Sequence, residues 1–350
     1  MTRTAFSRFG RACQVLGLGA LISSGALAGS IGKPLQVADM GSFFVGARMT
    51  QTSFPGSFPA GRVPNGNIAV DQMYVSYLIP AGAKKTPIVL VPGGGLTGAE
   101  YETTPDGREG WATYFARRGY PVYVVDTPGR GKAGFDASSF IEAKETKNAD
   151  AIAPGLFTAT DEFAWLNFRF GPKLGVAYPD TQYPVAAFDA FAAQGVPNAE
   201  STLGGGIKTA PKALAALLDK IGPSIVVVHS LSGPYADALV GLRPKLVRAV
   251  VNIEGVQYIV PTDKQVAAYD GIPVLELFGD HLDTAVATGA PRLLGRKAVV
   301  ERIDQLPHGK ATLVTLPSVG IHGNSHMMMQ DKNNLVVADY VLAWLSREAK

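Results

Sequence analysis

Ile225-Val226-Val227-Val228-His229-Ser230-Leu231-Ser232-Gly233 opens with four β-branched apolar residues and ends abruptly in small ones, and the helix-compatible Pro234-Tyr235-Ala236-Asp237-Ala238-Leu239-Val240 follows. Such an apolar run reads as a strand buried on both faces. The pattern predicts a strand that turns sharply into a helix at Ser230. A serine on that kind of turn lifts its hydroxyl above the sheet edge, and the next backbone N–H points at whatever the hydroxyl attacks. The G-x-S-x-G pattern typical of such turns is present only in part. Around Ser230 it reads Val228-His229-Ser230-Leu231-Ser232, and around Ser232 it falls inside the start of the helix. Ser230 is therefore the better candidate nucleophile, against the competing explanation of a serine capping a helix N-terminus.

Outward from this strand lie further short apolar runs at 88–91, 122–125, 247–253, 274–278 and 312–316, most of them separated by helix-length segments such as 111–118 and 234–242. Strand and helix in alternation predict an α/β fold, a mostly parallel central sheet with helices on both faces. Segments 43–51 and 68–78 alternate apolar and polar residues in part and predict an antiparallel opening to the sheet. The last helix, 334–348, carries Leu335, Ala338, Val341, Leu342 and Leu345 at spacings of three and four, so one face packs on the sheet.

Residues 131–209 break this rhythm: they hold no obvious core strand and are rich in aromatics, Phe163, Trp165, Phe168 and Phe170 among them. A stretch that long is uncommon unless it has a task. Its place between the strand ending at Asp126 and the strand leading to Ser230 predicts a cap insertion over about 132–208. Most of its aromatics are expected to form the cap's own core, with Trp165 and Phe168 as candidate substrate contacts.

The chain begins with Arg3, Arg8 and Arg11, continues through the apolar stretch 15–22 and reaches Ala26-Leu27-Ala28, the pattern of a secretory signal peptide over residues 1–28. Cleavage after Ala28 would leave residues 29–350 as one domain with 29 basic and 29 acidic residues, so the overall charge of +3 resides in the leader. Nothing in that balance argues for a nucleic-acid or anionic-membrane partner. The single cysteine, Cys13, precedes the apolar stretch, so the mature chain is exported without a disulfide and is held by its core. No membrane span follows the leader, and periplasmic or secreted localisation is expected.

A serine nucleophile needs a base, an orienting acid and donors for the oxyanion. Of the five histidines, His229 adjoins Ser230 in a strand and points to the opposite face, and His308 lies in a polar turn. His281, His322 and His326 remain. The loop holding His322 and His326 follows the last apolar strand, which satisfies the chain order Ser, acid, His. A metal pair at that spacing needs a helix, and Gly323, Asn324 and Ser325 argue for a loop, so no metal is expected. Asp280, Asp283 and Glu254 compete for the acid; a carboxylate ending an apolar strand needs a partner, either a histidine or a structural Arg or Lys. Glycines after the run 88–91 let backbone N–H groups approach a substrate oxygen, and the N–H groups of Gly94 and Leu231 are the expected oxyanion donors. Gly93-x-Gly95-x-x-Gly98, with Asp126 downstream, and Gly129-x-Gly131-x-x-Gly134 match the dinucleotide fingerprint. That fingerprint needs a helix to open within it, and Pro105 and Gly107 argue against one. No cofactor is expected.

Taken together, Gly93 to Gly98, Glu102-Thr103-Thr104-Pro105-Asp106-Gly107, His229 to Gly233, Ile253-Glu254, Phe278 to His281 and His322-Gly323-Asn324-Ser325-His326-Met327-Met328-Met329-Gln330-Asp331 resemble the α/β-hydrolase fold. More narrowly, they resemble the bacterial esterases of the Alcaligenes periplasmic type. The resemblance implies a secreted serine carboxylesterase acting on a small-molecule ester, with Ser230 as nucleophile, Glu254 as the acid one strand earlier than usual, and His326 rather than His322 as base. The relatives' dimeric habit points to a homodimer. The relative carries two adjacent cysteines where this chain has Gly94-Gly95. The same apparatus would serve a lactonase, an amidase or a polyester hydrolase; a catalytically silent hydrolase fold binding an apolar ligand is the reading from another class.

Overall fold

The strand that leads to Ser230 lies inside an eight-stranded sheet. Its members are β1 (Val37–Val45), β2 (Met73–Pro80), β3 (Ile88–Val91), β4 (Val122–Asp126), β5 (Ser224–His229), β6 (Val247–Ile253), β7 (Val274–Phe278) and β8 (Ala311–Thr315), in spatial order β1-β2-β4-β3-β5-β6-β7-β8. The computed structural model describes residues 34–83, 85–152, 155–200, 205–284 and 286–349; the leader, its cleavage site at Ala28 and Cys13 lie outside them. β3 to β8 run parallel, and β2 runs against its neighbours β1 and β4.

Every residue of β3, β5 and β7 is buried, as continuous apolar runs require. Alternate residues of β5 serve opposite layers. Ile225 and Val227 join a core with Trp111, Phe115, Val341 and Trp344, whereas Val226 and Val228 join one with Leu214, Leu217, Leu239 and Ile303. Helices Trp111–Arg117 and Asn334–Glu348 thus cover one face, and Gly205–Ile221, Gly233–Leu242 and Ala290–Asp304 the other. The last helix buries Val337, Ala338, Val341, Trp344 and Leu345, while Leu335 and Leu342 are only partly buried.

The opening differs from expectation. Segments 43–51 and 68–78 each span two strands: β1 pairs with β2, but Arg48–Thr52 pairs with Gly66–Val70 in a separate two-stranded sheet. Both breaks fall where the backbone turns left-handed, at Gly46 (φ +75°) and Asp71 (φ +63°), which resets the alternation of faces. Between β4 and β5 no described residue joins the central sheet; this stretch forms helices Ser138–Thr146, Asp161–Asn167 and Phe188–Ala192. The expected cap boundary near 208 falls inside helix Gly205–Ile221, which belongs to the sheet's covering layer.

Candidate active site

Ser230 stands directly after β5 with φ +52°, between an extended His229 and helix Gly233–Leu242. A left-handed non-glycine residue costs about 1–2 kcal/mol and persists only where its surroundings over-determine it. Here the Ser230 carbonyl accepts from Val256 N at 3.0 Å, and Ser232 Oγ donates to the Pro92 carbonyl at 2.5 Å. That bond satisfies a hydroxyl with no exposure. The Ser230 hydroxyl accepts from Arg292 Nη1 at 3.1 Å.

Glu254 follows β6 with φ +46° and is fully buried. Its carboxylate receives four donors: both terminal nitrogens of Arg169, one of them at 2.9 Å, the Gly279 N–H at 2.7 Å, and His326 Nδ1 at 2.5 Å. Burial alone would raise its pKa, but the charge of Arg169 and the His326 bond hold the carboxyl well below its ordinary value. His326 is equally buried, between the rings of Phe168 at 5.1 Å and His229 at 4.6 Å. Burial outweighs the attraction of Glu254 and pushes the imidazole well below its usual 6.5. With Nδ1 bonded to Glu254, His326 Nε2 is shielded and has no partner among the described residues. The ring is neutral at pH 7, with one nitrogen free to take a proton.

The loop carrying His326 is clamped from several sides. Asp331 accepts from Ser325 N, Ser325 Oγ and Asn324 Nδ2 at 2.7–2.9 Å, and burial raises it to about 7. Asp280 accepts from Gly323 N at 2.9 Å, so this contender for the acid holds the loop and not the imidazole. Asp283 is exposed. Arg108, in the first third of the chain, donates to the carbonyls of Gln330 and Asp331, both at 2.8 Å. His229 does face away from Ser230: its Nδ1 lies 3.3 Å from Glu100 and its Nε2 3.2 Å from the His326 carbonyl. His322 is exposed near Asp280, His281 stacks on Tyr178 and bonds Asp180, and His308 bonds Asp270. His322 and His326 do not converge as metal ligands would.

Gly94 and Leu231 meet beside Ser230, where a Cβ on Gly94 would lie 3.0 Å from the Leu231 side chain. The Gly94 N–H has no acceptor among the described residues. The loop is anchored at both ends, Glu100 accepting from Gly93 N and Asp126 from Gly98 N at 2.8 Å. The other Asp126 oxygen takes the Lys132 N–H, so the acid of the dinucleotide match serves as a backbone tether. A cavity of about 240 Å³ is lined by Gly94, Ser230, Leu231, Phe157, Phe163, Phe168, Tyr258 and Arg292 among others. Phe168 thus lines it, and Trp165 does not. The expected contact at Trp165 is corrected: its ring packs on Phe170 and Phe188 and its Nε1 donates to the Val176 carbonyl, inside the cap's own core. Sequence reasoning missed Arg169 and Arg292. A cation between two phenylalanines, Phe168-Arg169-Phe170, was the available signal for the first.

A parallel sheet with β2 reversed, and a left-handed serine at the end of its fifth strand beside a buried Glu–His pair, defines an α/β-hydrolase. No model of a known protein family matches the sequence. The solved structure of a bacterial esterase, described as novel, superposes with a TM-score of 0.84 at 39% identity, covering 91% of this chain and 99% of that one. A probable secreted lipase from a fungal species is 29% identical over 328 residues, 79% of this chain and 86% of the lipase. The chain belongs to the family of that bacterial esterase, the carboxylic-ester hydrolases of this fold.

Proposed function

We propose that the chain hydrolyses small carboxylic esters through an acyl-enzyme formed on Ser230. Ser230 Oγ attacks the ester carbonyl as its proton passes to His326 Nε2, and the N–H groups of Gly94 and Leu231 hold the tetrahedral oxyanion. Collapse expels the alkoxide, which takes the proton from His326; water, deprotonated in turn by His326, releases the acid and restores Ser230. Glu254 stays ionised throughout, fixing the Nδ1–H tautomer and balancing the transient imidazolium. The observation that carries this reading is the 2.5 Å His326–Glu254 bond, which leaves Nε2 without a partner among the described residues.

The segment between β4 and helix Gly205–Ile221 acts as a cap, with Phe157, Phe163 and Phe168 as its contribution to the cavity wall. The leader-like start, residues 1–28, and the secreted character of the fungal relative support export. No helix among the described residues is long and apolar enough to cross a membrane.

The test is hydrolysis of p-nitrophenyl acetate, butyrate and octanoate by residues 29–350, with Ser230→Ala in parallel and labelling by a fluorophosphonate probe. Turnover and labelling that vanish together in Ser230→Ala support the mechanism; turnover that survives assigns the nucleophile elsewhere. A wild type that neither turns over nor labels leaves the silent binding fold.

A further inference from the structure

Four arginines are buried in the described structure, and three face carboxylates: Arg130 lies on Glu200, Arg169 on Glu254, and Arg296 on Asp237 and Glu276. Arg292, 5% exposed, has no carboxylate partner among the described residues. Its Nη1 donates to the Glu254 carbonyl at 2.8 Å and to Ser230 Oγ at 3.1 Å. Its Nε is shielded without an acceptor, and its Nη2 has no acceptor among the described residues. The nearby Glu254 charge is already matched by both terminal nitrogens of Arg169.

Two further features argue against a purely architectural role. Arg292 sits in the first turn of helix Ala290–Asp304, at the positive end of the helix dipole, and that turn has no acidic residue. A cation there is disfavoured by the dipole. A buried guanidinium without a counter-charge is also costly, and three parallel cases in this chain avoid the cost. Arg292 nevertheless lines the cavity beside Ser230, among the largely apolar surfaces of Phe163, Phe168, Leu231 and Tyr258.

We propose that Arg292 is a specificity-determining residue that receives a carboxylate carried by the ester substrate, which makes half-esters of short dicarboxylic acids the favoured substrate class. The inference rests on the Ser230 mechanism above. Both hydrogens of Nη1 are engaged, so the carboxylate meets Nη2 on the other side of the guanidinium. A carbonyl carbon about 3 Å from Ser230 Oγ and a carboxylate oxygen about 2.9 Å from Nη2 are at most about 11 Å apart, and closer with any bend. One to a few carbons between the two groups satisfy that span. Desolvation lowers the Arg292 pKa only to about 10, so it is a cation at the pH where such a carboxylate is an anion.

The test compares monoethyl succinate with ethyl 4-methylpentanoate, a neutral ester of the same shape, by acid release at pH 7.5. Residues 29–350 are assayed as wild type, Arg292→Met and Arg292→Lys, each normalised by fluorophosphonate titration. The expected wild-type kcat/KM favours the anionic ester by 10² or more. Arg292→Met lowers that ratio about 100-fold, and Arg292→Lys, a point charge without the fork, retains part of it with a raised KM for monoethyl succinate. Should the methionine variant not fold, the lysine variant's ratio and KM carry the test. A wild type without preference, or variants that slow both esters equally, overturns the proposal and leaves Arg292 as a group that orients Ser230 for every ester. Failure of the underlying mechanism reads out separately, as turnover of both esters by Ser230→Ala.

Discussion

Glu276 lies on one strand and Glu254 directly past the end of its neighbour, two residues beyond Asn252, which faces Glu276 in the register. Both are fully buried and both face an arginine, yet their acidities diverge. Burial raises Glu276, and Arg296 and Asn252 reach only one of its oxygens, while Asp237 adds a second negative charge and the other oxygen has no partner among the described residues. Glu254 ends low because the charges and hydrogen bonds of Arg169 and His326 outweigh its burial, and the Gly279 N–H also binds the carboxylate. A buried Glu–Arg pair is thus a structural device this fold repeats, Arg130 on Glu200 being a further case. What separates the copies is place: Glu276 lies within its strand, whereas Glu254 lies one residue past the strand end, where a loop can deliver a histidine.

The sharpest way to break this contrast is to neutralise each acid in turn. Glu254→Gln is expected to lower kcat/KM for p-nitrophenyl butyrate by roughly 10³–10⁴, because the imidazole loses the partner that fixes its tautomer. Glu276→Gln should cost less than about 10-fold, and similar losses in both would remove Glu254 from the mechanism. The cap offers the same contrast between two aromatics. Trp165→Ala should destabilise the protein by about 3–5 kcal/mol with acyl-length preference retained. Phe168→Ala should shift the preferred acyl length, and calorimetry beside a chain-length series would expose an exchange of roles. Next in size comes the acid limb of activity. With His326 held below its usual 6.5, kcat/KM should stay level as pH falls through 6.5 and decline only beneath it; a midpoint at or above 6.5 would contradict the buried, neutral imidazole.

The smallest effect is the most diagnostic, since its sign differs between the two glutamates. A lowered folded pKa contributes stability present above about 4.5 and lost as pH falls through the folded value. For Glu254 the melting-temperature advantage of wild type over Glu254→Gln should therefore shrink on acidification. A raised folded pKa contributes stability present below about 4.5 and lost as pH rises. For Glu276 the advantage over Glu276→Gln should shrink as pH climbs. Parallel slopes in melts between pH 3 and 7 would contradict the opposed environments.

Strands written as short, mainly apolar runs, such as Ile88–Val91, Val247–Ile253 and Val274–Phe278, were legible to the residue because nearly every position is buried and the runs are bounded by turn residues. The turn at Ser230 was legible from the collapse of that run into small residues. The opening ribbon was not, because one left-handed residue in each segment, Gly46 and Asp71, resets the faces and sends part of the segment to a second sheet, which a partial alternation does not reveal. Spacing could not separate His322 from His326, since which one meets Glu254 is set by contacts with residues far along the chain. Arg169 and Arg292 escaped for the same reason: an arginine reveals its role only through what it faces. Trp165 was misplaced because the same residue type serves a cap's core and a cavity wall equally well.

The clamp of Arg108 on Gln330 and Asp331 also sets a schedule. On the ribosome the serine and the glutamate emerge well before the histidine, and the loop that seats the histidine is fixed only when chain beyond Asp331 folds back onto a site made some 220 residues earlier. On the proposed mechanism, the nascent polypeptide carries the acid and the hydroxyl but not yet the seated base until synthesis is nearly complete. On that mechanism ester cleavage is a late event in the life of each molecule, and its onset reports that the first and last parts of the chain have met.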